Sequence, residues 1–219
     1  MVTYCETAVT IVYLHHKRNL VYIKQNYNIM NTTRKIALEA KSIETANTLS
    51  SNLLEVSKKR AGMIPNMYAT MANNDALLDA YIYSYESFRK NAGFTPQEQE
   101  VVFLSMNYEN NCEYCMAAHS IIADRVSKVP KEVTDAIRNN TEIPDEKLKA
   151  LSLFSKIMIE KRGYPSEADI ENFLNAGYTK SHILGIITGA AVKTLSNYTN
   201  HIFDIPVDKA FESRFWTKE

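Results

Sequence analysis

Thr95-Pro96-Gln97-Glu98-Gln99-Glu100-Val101-Val102-Phe103-Leu104 is the stretch from which the fold is read. A threonine able to cap, a proline at the first helical position and a glutamate at the third make a capping box, whose side chains satisfy N–H groups that a helix start leaves unpaired. The run behind it is apolar on every side, so the spacing predicts a helix buried near the centre of the molecule. Glu100 sits beside that run, where a carboxylate is unusual. Two readings stand for it. It points outward on an exposed first turn, favoured by the helix dipole, or it is a buried acid held there for chemistry.

Outward from this stretch, helical periodicity continues on both sides. Asn47 to Arg60 spaces Leu49, Leu53, Leu54 and Val56 for burial and closes at Ala61-Gly62. Met63 to Met67 turns into a short helix. Asn74 or Asp75 caps Ala76 to Asn91, whose inward stripe is Leu77, Leu78, Tyr81, Ile82, Tyr85 and Phe88, with Gly93 as its stop. After a polar break at 107–111, a helix carrying Cys112, Cys115 and His119 is expected to run to about Val126. Pro130 opens a helix to Arg138. Pro144-Asp145-Glu146 opens another to Arg162, with Leu148, Leu151, Phe154 and Met158 inward, and Ser166-Glu167-Ala168-Asp169 a third ending at Gly177. The last long helix, Thr179 to about Ile202, gathers Gly185, Gly189, Ala190 and Ala191 on related faces, which lets another helix approach closely. Its His182 and His201 read as capping or packed side chains.

No alternating strand pattern follows residue 30, so the fold class is all-α. Residues 45–203 read as one helical domain, 1–44 as an N-terminal extension, and 204–219 as a tail that holds Pro206 and Trp216 and wraps the surface or a neighbouring subunit. Within the extension, Val9 to Leu14 is β-like, and Met30 is a candidate start that would leave 1–29 outside the native protein.

Lysine plus arginine balances aspartate plus glutamate at 25 each, and the short clusters His15-His16-Lys17-Arg18 and Lys58-Lys59-Arg60 read as solvated faces. Nucleic acid is therefore not an expected partner. No apolar run approaches the ~20 residues that span a bilayer, so no membrane partner is expected. Ala8 to Leu14 is too short and too basic in its continuation to be a signal peptide. Three cysteines cannot all pair within one chain, which points to a reducing, cytoplasmic home, with Cys5 as a bystander. No phosphate loop or flavin fingerprint is present, so no bound cofactor is expected.

Asn110-Asn111-Cys112-Glu113-Tyr114-Cys115-Met116-Ala117-Ala118-His119 carries the chemistry. At roughly 100° per residue, Cys112, Cys115 and His119 fall within a wedge of about 60° on one helix. Cβ atoms at that spacing lie about 5 to 6 Å apart, whereas a disulfide needs about 3.8 Å. A bond between the cysteines therefore requires a distorted first turn and should be reducible. A free thiol titrates near ~8.5, and the helix dipole lowers that by ~1.5 at best. A proton acceptor is therefore valuable, and His119, four residues beyond Cys115, is the candidate. Glu100 could orient the imidazole but could not stabilise a thiolate directly, because like charge raises a thiol pKa.

Glu100, eleven residues, Cys112-x-x-Cys115, three residues, His119 resembles the signature of the AhpD-like alkylhydroperoxidases of the carboxymuconolactone decarboxylase superfamily. The resemblance extends over about 45–203, including Arg162-Gly163-Tyr164-Pro165, Ala176-Gly177-Tyr178-Thr179 and the small-residue helix after it. It implies an all-helical peroxidase that forms a trimer or hexamer. On that resemblance Cys115 attacks the hydroperoxide and becomes a sulfenic acid. Cys112, nearer the surface, condenses with it to a redox-active disulfide, and Glu100 with His119 forms the proton relay that activates Cys115. An external dithiol protein, lipoyl-bearing in the best-known members, resets the pair. Some members carry histidine where this chain has Tyr114. The superfamily's decarboxylases lack the cysteine pair.

Three other readings remain at this point. Cys112, Cys115, His119 and Glu100 could bind zinc. The cysteines could be small apolar residues in a non-catalytic helical oligomer. A decarboxylase-like reaction on a small organic substrate is the third.

Overall fold

The helix that opens at Pro96 is the hub of the structure. The computed structural model describes residues 36–218. The β-like run at 9–14, the cluster at 15–18, Cys5 and the candidate start at Met30 lie outside the described residues. In chain order the helices are α1 (Thr48–Ala61), α2 (Asn66–Met71), α3 (Asp75–Asn91), α4 (Pro96–Glu109), α5 (Glu113–Ile122), α6 (Lys131–Asn139), α7 (Glu146–Glu160), α8 (Glu167–Asn175) and α9 (Lys180–Phe203). A π-helical turn, Ala123–Ser127, continues α5, and a short 3-10 helix, Lys209–Arg214, follows α9. Among the described residues there is no strand, so the all-α class holds.

The capping box at α4 forms as the sequence implies. The Thr95 hydroxyl accepts from the Glu98 N–H at 3.2 Å, and the Glu98 carboxylate accepts from the Thr95 N–H at 2.9 Å. From Glu98 to Asn107 every residue of α4 is buried, because α5, α6, α7 and α9 all pack against it. A helix so enclosed has no polar face, which is why it reads as apolar all round.

Two helices differ from their sequence reading. In α1 the buried residues are Ser50, Leu54 and Ser57, while Leu49 and Val56 are exposed. The helix is rotated so that its small hydroxyl side chains face α3, and the Ser50 hydroxyl donates to Asp75 at the start of that helix. The cysteine helix is regular only to Ile122. Its last turn widens into the π turn, leaving Val126 exposed and Ala123 buried.

Helix α9 lies tightly on α3 and α4, as its glycines foretell. A Cβ at Gly185 would stand 2.7 Å from the Ala92 carbonyl oxygen, and one at Gly189 would meet Phe88 and Val102 at 3.1 and 3.2 Å. That approach carries Lys193, Ser196, Asn197 and Asn200 into the interior. His182 completes a cap at the start of α9, its Nδ1 accepting from the Thr179 N–H at 3.0 Å.

Beyond α9 the chain runs back over α5 and α6. Asp208 accepts from the Asn66 N–H, Arg214 pairs with Asp124 and Asp135, and the buried Trp216 donates to the Arg138 carbonyl at 2.8 Å. Among the described residues no helix is long and apolar enough to cross a membrane.

Replacing Gly185 with alanine forces α9 away from the Ala92 carbonyl. We expect Gly185→Ala to destabilise the fold by about 1–3 kcal/mol, seen as a lower urea midpoint at unchanged slope.

Candidate active site

Four helices place side chains in one buried cluster. Glu100 on α4 is fully buried, and its carboxylate takes two partners: Arg89 of α3 donates to Oε1, and His119 of α5 donates from Nδ1 to Oε2 at 2.8 Å. The outward reading of Glu100 is therefore wrong. With every side of α4 covered, a charge at this position has to be met by side chains from neighbouring helices. Arg89 is also held by the Tyr85 hydroxyl at 2.7 Å and lies over the Tyr85 and Phe103 rings. Burial alone would raise the Glu100 pKa, but His119 and Arg89 outweigh it and hold the carboxyl below its usual value.

Burial and the neighbouring Lys193 charge push His119 down to about 4, against the pull of Glu100. At neutral pH the ring is uncharged. With Nδ1–H given to Glu100, Nε2 is left as an acceptor. Lys193 of α9 meets that acceptor, its Nζ standing 2.9 Å from His119 Nε2 and 4.6 Å above the Phe103 ring. The nitrogen expected to take the Cys115 proton is thus the one that faces Lys193. A cation stands where a free base was anticipated.

Cys112 and Cys115 do not share the helical face that their spacing suggests. Cys112 is the N-cap of α5, with extended backbone at φ −98° and ψ 96°, and its N–H donates to the Asn107 carbonyl at 3.0 Å. Only Cys115 has helical geometry, so the regular-helix spacing does not apply to the pair. Nor is Cys112 nearer the surface: it is 1% exposed and Cys115 2%. The tail explains this, since Tyr114, between the two, donates to Asp208 and its ring meets Phe211 edge-on.

Both cysteines are free thiols. Burial pushes the Cys115 thiol up. The Cys112 thiol as hydrogen-bond donor, the Lys193 charge, and Ser196 and Asn197 more than reverse this and bring it to about 6. Asn200 adds a contact, its Nδ2 lying 3.2 Å from Cys115 Sγ. Burial, followed by the bond to Cys115, pushes Cys112 well above the usual thiol value. The pair is thereby divided at neutral pH into a thiolate at Cys115 and a thiol at Cys112.

A cavity of about 80 Å³ opens onto Cys115 and His119, with Tyr68, Tyr81, Tyr85 and Phe211 among its walls. Among the described residues no group of three or more His, Cys, Asp and Glu side chains is arranged to hold a metal ion. The zinc reading loses its histidine in particular, since both ring nitrogens are engaged.

Arg89, Lys193, Asn200 and Asp208 were not anticipated. Two of them carried a signal. Lys193 lies eight residues after Gly185 and four after Gly189, on the close-packing face of α9, and Arg89 lies four after Tyr85 on the inward stripe of α3. A charge on a buried stripe marks a buried partner.

A scan against protein-family models finds no match, and a search of curated proteins finds none. Solved structures do match. The AhpD core of a peroxidase-related protein from Ralstonia eutropha JMP134 superposes with TM-score 0.72 at 22% identity, covering 80% of this chain and 93% of that one. A peroxidase-related protein from Silicibacter sp. TM1040 gives 0.69 at 19%, covering 84% and 100%. A variant of the debrominase Bmp8 in complex with 2,3,4-tribromopyrrole gives 0.63 at 16%, covering 74% and 87%. The chain therefore has the AhpD-like helical fold.

The thiolate is the species that reacts with iodoacetamide. Alkylation of Cys115 should rise with pH, reach half its limit near 6 and level off above it, while Cys112 stays slow at neutral pH. Peptide mass spectrometry over pH 4–9 measures both; a common midpoint near ~8.5 would contradict the division.

Proposed function

We propose that the chain is a thiol-dependent peroxidase of the AhpD-like type, acting on small hydroperoxides. The observation that carries the reading is the Cys115 thiol lining a small cavity, within the field of Lys193 and hydrogen-bonded by neighbours that favour its thiolate, with a second thiol three residues before it. The Cys115 thiolate attacks the terminal oxygen of ROOH. An S–O bond forms, the O–O bond breaks, and RO⁻ leaves and takes a proton to become ROH. Cys112 then loses its proton and attacks the Cys115 sulfenic sulfur. The disulfide forms, and the departing hydroxide takes a proton to become water. The two electrons come from the thiol pair, and an external dithiol protein, lipoyl groups being the candidate, returns them by exchange.

Cavity size argues for a small substrate. An apolar cavity of roughly 150 Å³ accommodates benzene, so about 80 Å³ suits hydrogen peroxide or a short-chain hydroperoxide better than a substituted ring. In the proposed cycle Glu100 and His119 orient and neutralise the thiol environment, and a homo-oligomer in the cytoplasm is the proposed working form.

Stopped-flow consumption of hydrogen peroxide and of ethyl hydroperoxide with dithiothreitol as reductant tests the reading. Cys115→Ser should abolish turnover. With dithiothreitol left out, Cys112→Ser should reduce about one equivalent of peroxide and then stop, with a dimedone-reactive sulfenic acid at Cys115. Full turnover by Cys115→Ser would overturn the assignment.

A further inference from the structure

Lys193 is the one fully buried lysine among the described residues, and no carboxylate among them pairs with it directly. The other buried acids have partners of their own. Glu100 is shared by Arg89 and His119, Glu98 by Lys147 and Tyr178, and Asp208 by Tyr114 and the Asn66 N–H. The groups that face Lys193 are Arg89 from α3, Glu100 and the Phe103 ring from α4, His119 and Cys115 from α5, and Cys112 at its cap. Arg89 and Glu100 cancel, and His119 is neutral. What remains to balance a buried ammonium is the thiol pair, and an uncompensated ammonium in such a place is costly enough to lose its proton.

The geometry points to Lys193 as a proton store coupled to the redox state of Cys112 and Cys115: protonated while Cys115 is a thiolate, neutral once the disulfide has formed. The reduced site is then Cys112–SH, Cys115–S⁻ and Lys193–NH₃⁺, and the oxidised site is the disulfide with Lys193–NH₂. Oxidation removes two electrons from the sulfurs and two protons, one from Cys112 Sγ and one from Lys193 Nζ. These are the two protons that ROOH needs to leave as ROH and H₂O, so each half of the reaction balances without a proton from bulk water. His119, hydrogen-bonded to Nζ on one side and to Glu100 on the other, fixes the amine in place in both states. Lys193 acts here through charge and proton supply, as a positioning residue. The inference rests on the proposed peroxidase reading only for the identity of the oxidant.

The test is the pH dependence of the dithiol–disulfide half-reaction in the full chain, poised in dithiothreitol redox buffers between pH 7 and 8, read by alkylation mass shift and referred to the hydrogen electrode after subtracting the two-proton pH dependence of dithiothreitol itself. Two protons per pair change the equilibrium constant 100-fold per pH unit, or about 59 mV. One proton changes it tenfold, about 30 mV. With the Cys115 alkylation midpoint near 6, the 100-fold dependence is expected. A tenfold dependence would mean that Lys193 keeps its charge beside the disulfide, and would overturn the proposal. So would a 100-fold dependence accompanied by an alkylation midpoint above 8, because both protons would then reside on sulfur. In Lys193→Met the alkylation midpoint should move up by at least one pH unit, and an unmoved midpoint would also overturn it. If that variant does not fold, the wild-type slope and midpoint decide alone. Absent peroxide turnover with an intact 100-fold dependence would remove the substrate assignment and leave the coupling standing.

Discussion

The buried chain Arg89–Glu100–His119–Lys193 is the constraint on which the rest of the structure depends. Each member comes from a different helix: α3, α4, α5 and α9. Removing one partner of a buried charge pair typically costs 3–5 kcal/mol, because the other is left uncompensated. The four helices are therefore fixed relative to one another by charge as well as by apolar packing. The same chain sets the chemistry. It keeps His119 neutral and brings a cation toward two sulfurs, and that cation helps to move the Cys115 thiol far enough to matter at neutral pH. The helix dipole, worth ~1.5 in pKa at best, could not have done this alone.

Much of this was legible in local signals. The Thr95–Glu98 box fixed the start of α4, Gly185 and Gly189 announced a close helix contact, and the spacing from Glu100 to His119 foretold residues that do meet. These signals are local because caps and periodicity are properties of a few consecutive residues. The misreadings were about partners. Periodicity says that a face is buried but not against what, so Leu49 and Val56 were placed inward when the serines of the same helix were the ones facing α3. Likewise, the free lone pair of His119 was assigned to Cys115, since nothing within twenty residues reveals that Lys193 will arrive there. Cys112 was given helical geometry although a cap residue stands outside the helix by definition.

Burial of the thiols is unusual for the exchange of electrons with another protein that the proposed cycle requires. Both cysteines lie beneath the chain that follows α9, and the cavity beside Cys115 is walled partly by Phe211 from that same segment. The enclosure serves the electrostatics: away from water the field of a single ammonium is screened less, so its effect on the neighbouring thiols is larger.

The packing of α9 and the segment after it has one more consequence, for the order in which the molecule matures. The contacts that define the thiol environment span 74 residues between His119 and Lys193, 85 between Cys115 and Asn200, and 94 between Tyr114 and Asp208. Contacts of that separation close late, after the local helices have formed. Until α9 docks, Cys115 lacks both its cation and its amide, and its thiol keeps the ordinary value near ~8.5. The lowered pKa of Cys115 is thus acquired with the final tertiary contacts and not with the helix that carries it.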